Sequence, residues 1–152
     1  MRARWWAVLP VAAVVAVWGV GGYLSTSPTD RQDYRKTAVR SAQSAYNAVG
    51  TARLAGRARL DGRLPGPYVT STLDDARAAL AGAAKRFAGT APPDEPSAAL
   101  QARLHPLLTS ADVALGRLER ATEEGDTAAT RAAVDALEPV AAGLSGFVEE
   151  HR

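Results

Sequence analysis

From Leu100 to Ala121 the residues Leu100, Leu104, Leu107, Ala111, Ala114, Leu118 and Ala121 follow one another at intervals of 4, 3, 4, 3, 4 and 3. A repeat near 3.5 keeps one stripe on one side of an α-helix. It cannot sit on one face of a strand, where side chains alternate with a period of two. Three further segments carry the same signature. Ala38, Ala42, Ala45, Val49, Ala52 and Gly56 form one stripe, widened by Tyr34, Val39 and Tyr46. Leu73, Ala76, Leu80, Ala83 and Phe87 form another, and Ala133, Leu137, Val140, Leu144 and Phe147 the last. No segment alternates over the length of a strand. Four such stripes joined by short connections bury themselves best against one another. The expected fold is therefore all-α, an antiparallel up-down-up-down four-helix bundle with crossings near +20°.

Local signals set the expected boundaries. Ser25 to Pro28 is a polar break, and Thr29 with Gln32 makes a capping box, so the first bundle helix is expected over about 30–60. The run Asp61 to Pro67 is rich in turn formers. Ser71 with Asp74 is a second capping box, giving a helix over about 72–88, where Asp74 and Asp75 would answer the macrodipole of the first turn. Gly89 and the stiff Ala91–Pro96 connector precede a helix over about 96–123. Gly125 closes that helix, and Asp126 or Thr127 caps a last one over about 127–149. Pro106 and Pro139 fall inside helices and should kink or divide them; matching kinks would open a cavity in mid-bundle. Alanine dominates the stripes, and 33 of the 152 residues are Ala. Small side chains predict close helix approach, modest stability and a partner over an exposed face.

Residues 1–4 read as a cytoplasmic tail. From Trp5 to Leu24 there is no charge, and twenty residues in a helix reach about 30 Å, the thickness of the hydrocarbon layer. Trp5 and Trp6 at one end and Tyr23 at the other supply interfacial rings. This predicts a transmembrane signal-anchor helix over 5–24, a linker over 25–29 and an extracytoplasmic bundle over 30–150. Arg2 and Arg4 beside the run favour a cytoplasmic N-terminus. The rival reading is a secretory signal cleaved near Gly19-Val20-Gly21-Gly22. The lack of an Ala-x-Ala site and the full length of the run favour the anchor.

The chain has 16 Arg against 2 Lys, no Ile and no Cys, the composition of a GC-rich bacterial genome. The absence of Cys excludes disulfides, thiolate zinc sites, iron–sulfur clusters and lipidation at an N-terminal Cys. Beyond Arg4 the charges balance, but unevenly. Residues 25–68 carry +5 and residues 92–152 carry −6, which argues against nucleic acid as a partner.

Motifs for chemistry are missing. Gly143-Leu144-Ser145-Gly146-Phe147 falls short of a nucleophile elbow, and the paired Glu-x-x-His of di-iron bundles is absent. His105 reads as a solvated helix residue and His151 as part of a fraying end. Glu123, Glu124 and Asp126 lack the calcium-loop pattern. Tyr34, Tyr46 and Tyr68 read as the edge of the core. One cluster stands out: Arg53, Arg57, Arg59 and Arg63 end the first bundle helix, fit to hold an anion or an acidic partner or to complement the helix dipole. The expectation is a bacterial, non-enzymatic binding or accessory module without metal or cofactor, its partners the lipid bilayer and another envelope protein. The alternative is a secreted or anchored carrier of a small molecule or ion, with its pocket near Pro106 and Pro139.

Overall fold

The computed structural model describes residues 28–152. The expected tail, the apolar run with Trp5, Trp6 and Tyr23, and most of the linker lie outside the described residues. Four helices follow in order: α1 Pro28–Leu60, α2 Gly66–Ala88, α3 Glu95–Glu123 and α4 Thr127–His151, with no strand among the described residues. No described helix is long and apolar enough to cross a membrane.

Cross-helix contacts fix the directions. The Tyr34 ring meets Phe87 near opposite sequence ends of α1 and α2, at a centroid distance of 5.8 Å, so these helices run antiparallel. Arg103 near the start of α3 pairs with Glu150 at the end of α4 at 2.6 Å, with the same consequence. Arg31 in α1 pairs with Asp94 at the head of α3, so α1 and α3 run parallel. The cross-section is a compressed diamond. α1 touches all three other helices and α3 does likewise, whereas α2 and α4 do not meet.

Small residues explain the short diagonal. On α1, Ala38, Ala42, Ala45, Ala48, Val49, Ala52 and Ala55 are buried. Gly56 lets α3 and α4 converge: a Cβ there would lie 2.5 Å from Val134 Cγ2 and 3.3 Å from both Leu118 Cδ atoms. Because α3 faces three neighbours, its buried arc is wider than one stripe. Leu108 and Leu115 are buried as well, while Leu107 is only partly so.

Several boundaries differ from the sequence expectation. α1 starts at Pro28, so Thr29 is already helical instead of a cap. α2 starts at Gly66, with Pro65 as N-cap and Pro67 in the first turn, where the missing amide proton costs nothing. Ser71 is therefore interior and caps nothing. Asp74 and Asp75 lie two turns inside, exposed, and do not serve the helix start. Thr70 and Thr72 return their hydroxyls to the carbonyls of Gly66 and Tyr68, as helical Thr residues do.

At the other junctions the turn chemistry is local. Gly62 and Gly125 adopt φ of +68°, and the amides of Arg63 and Asp126 reach back to the carbonyls of Ala58 and Ala121, closing α1 and α3. Asp94 and Asp126 each accept the amide three residues on, at 2.9 Å. Pro106 and Pro139 do not divide their helices. Both are exposed, as are Ala102 and Asp135, whose carbonyls the prolines deprive of a donor, so water can replace the missing bonds. His151 is not frayed: its ring stacks on Phe147 at 4.5 Å, and Nδ1 donates to the Phe147 carbonyl at 2.8 Å.

Candidate functional site

The four arginines at the end of α1 do not act together. Arg53 turns inward along α4 and pairs with Glu138, although its Nε is buried without a partner. Arg63 pairs with Asp61 in the α1–α2 turn at 2.6 Å. Arg57 and Arg59 remain exposed. Arg59 borders a polar hollow of about 220 Å³ with Thr122, Thr127 and Thr130. The Thr122 and Thr130 hydroxyls already donate to backbone carbonyls, so Arg59 and Thr127 are the side-chain donors left there. Arg59 is two positions from Arg57 and so points to another side of α1, Arg63 stands in the turn beyond Leu60, and of the i,i+4 pair Arg53 and Arg57 only Arg53 is drawn to a carboxylate of α4.

The tyrosines separate too. Tyr34 is 2% exposed and belongs to the core, while Tyr46 is 38% and Tyr68 66% exposed. Tyr68 stands off the core because α2 starts before it and turns it outward. The Tyr34 hydroxyl has no hydrogen-bond partner among the described residues, and burial pushes its pKa above the usual tyrosine range.

A groove of about 780 Å³ lies between α2 and α3. Its floor is Leu80, Phe87 and Leu108, all buried. Ala81, Ala84 and Ala88 form one wall, and Ala98 and Ala102 line the other. Gln101, His105, Thr109 and Asp112 supply the polar edge on α3. Neither Pro106 nor Pro139 lines it, and it lies between α2 and α3 instead of between the two helices that carry the prolines. The cause is side-chain size. Along the groove the α2 positions outside the core are Ala81, Ala84 and Ala88, which leave space instead of interdigitating.

An ion-pair cluster bounds the groove at one end. Arg77 of α2 reaches Glu119 of α3 and lies 3.7 Å from Asp112, its guanidinium resting over Gly116, where no side chain obstructs it. At the other end lie Phe87 and Ala98, beside the start of α1. Near that end the carboxyl of Asp94 is held below the usual range, first by its hydrogen bonds with Ser97 and then by Arg31. Arg103 likewise lowers Glu150, and Glu150 raises Arg103.

Such a groove can take up apolar surface. Its one histidine, His105, lies one turn from Thr109, whose hydroxyl donates to the His105 carbonyl at 3.1 Å, and Asp112 faces Arg77. Among the described residues no group of three His, Cys, Asp or Glu is placed to hold a metal ion. Sequence reasoning missed the groove, though a signal existed: Ala81, Ala84 and Ala88 form a second small-residue line beside the Leu80–Phe87 stripe. Comparison with known protein families, with curated proteins and with solved structures gave no match.

Proposed function

We propose that this chain is a non-enzymatic binding or accessory module of the bacterial envelope. Residues 5–24 anchor it as a single transmembrane helix with a cytoplasmic N-terminus, and the bundle stands outside the membrane as an up-down-up-down unit. Its partner, another envelope protein, is taken up in the α2–α3 groove. The observation carrying this reading is the groove itself: an apolar floor with small walls and a polar edge is suited to receiving large apolar side chains.

The test is made on the full chain in a bacterial host. The chain is expected to stay in the membrane pellet after alkaline carbonate extraction and to lose its bundle to protease added from outside. A partner cross-linked to the wild type should be lost when Ala102→Trp fills the groove. Release into the carbonate supernatant, or partner capture indifferent to Ala102→Trp, would refute the proposal.

The groove volume also favours a second reading, a carrier of a small apolar molecule, because pockets for such ligands span about 300–1,000 Å³. A thermal-shift series with fatty acids and quinones discriminates: an upward shift of several degrees that Ala102→Trp abolishes supports the carrier.

A further inference from the structure

We infer that the apolar run beginning at Trp5 has a second berth on this molecule, the α2–α3 groove, which it fills when no bilayer is present and leaves on insertion. The inference rests on the proposed function, in which that run is a membrane segment and the groove a binding surface.

Position is the first support. Arg31 is tied to Asp94 at the head of α3, and Tyr34 packs on Phe87 in the groove floor. The chain preceding Pro28 therefore departs from the end of the bundle where the groove begins.

Length is the second. The groove follows α3 from Ala98 to Asp112, about 21 Å of helix, and the fourteen residues Trp5–Trp18 make a helix of about the same length. The nine residues Gly19–Ser27, three of them glycine, span up to about 30 Å when extended, enough to round the end of the bundle.

Chemistry is the third. The run is uncharged and, as a helix, has Trp5, Trp6 and Leu9 within about 100° on one face to set against walls made of alanine. A run laid back from α1 places its N-terminal end beside Asp112, the one carboxylate lining the groove. Arg4 and the indole N–H groups of Trp5 and Trp6 are donors suited to it and to Thr109. Being tethered, the run meets the groove at an effective concentration in the millimolar range.

By linkage, any partner that occupies the groove also favours insertion.

The absence of cysteine makes the test direct. Ala88→Cys in the groove wall is paired in turn with Val15→Cys, Ala16→Cys and Val17→Cys, which together sample more than half the circumference of a helix. Control pairs use Ala132→Cys, exposed on α4. In vesicle-free buffer the full chain is expected to be monomeric. At least one Ala88 pair should cross-link within the chain, and no Ala132 pair should. Phosphatidylglycerol vesicles should float the chain and abolish the cross-link.

A monomer that cross-links at neither position, or equally at both, overturns the inference, and so does a chain that associates in vesicle-free buffer. Flotation without a prior cross-link removes the berth and leaves the membrane reading intact. A cross-link that persists with vesicles, without flotation, keeps the berth and removes the membrane reading.

Discussion

Replacing Gly56 by alanine tests the packing at the centre of the diamond. In an isolated helix this change stabilises by about 1 kcal/mol. Here the new methyl group would lie 2.5 Å from Val134 Cγ2 and 3.3 Å from two Leu118 methyls. Val134 is buried and β-branched, so its χ1 is held in one rotamer and the methyl cannot swing aside. α4 must then retreat by roughly an ångström, and overpacking of this kind costs about 1–3 kcal/mol, more where the neighbour is rigid. The clash offsets or outweighs the propensity, leaving a net loss of up to about 2 kcal/mol, or up to roughly 8 °C in Tm. Gly50→Ala on the same helix is the control, since nothing lies within 4 Å of its added carbon, and it should gain up to about 1 kcal/mol. Urea unfolding followed by circular dichroism measures both. Adding Val134→Ala should rescue Gly56→Ala, with a coupling of about 1 kcal/mol or more. If Gly56→Ala proves as stable as Gly50→Ala, α1 and α4 do not approach closely at this point and the reading of Gly56 as a required gap is refuted.

Tyr34→Phe removes a buried hydroxyl without a partner and should raise stability or leave it unchanged, a sign opposite to that of most core substitutions. The Tyr34 pKa is raised in the folded state, so its contribution is complete below the ordinary tyrosine value near 10 and is lost as pH rises beyond it. Melting curves between pH 8 and 11 should show a shallower alkaline decline for Tyr34→Phe, and an unchanged slope would contradict this. Asp94 and Glu150 are lowered in the folded state, so their contribution is present above the ordinary carboxylate range and is lost as pH falls through and below it. The acid decline in Tm below about pH 5 should flatten in Asp94→Asn and in Glu150→Gln, and parallel curves for wild type and variants would refute the assignment. Asp126→Ala removes the α4 cap and should cost about 1 kcal/mol, whereas Asp126→Asn should retain most of it; equal losses would show that the cap bond is not what matters.

How much was legible depends on the range of the interaction. The stripes identify α3 and α4 within a residue or two, because period 3.5 burial is a local property of the chain. Gly125 followed by Asp126 announces a helix stop and a helix start through bonds between residues a few positions apart. The start of α2 was misread for a related reason. A capping box at Ser71 is a valid local signal, but Pro65 and Pro67 offer an earlier start, and burial of Val69 rewards extending the helix to it.

The sequence by itself determined that the described chain is helical, which face of each helix avoids water, and where the main turns fall. All of these follow from backbone geometry and from neighbours within one or two helical turns. Only the tertiary structure decided that α1 and α3 share the short diagonal while α2 and α4 stay apart. It alone sent Arg53 to Glu138 and Arg63 to Asp61, kept the helices unbroken through Pro106 and Pro139, and left a groove where alanines of two helices face each other. The separation of two helices depends on the summed sizes of side chains from both, and a pairing depends on which surfaces meet. Neither quantity belongs to one segment, so neither can be read along the chain.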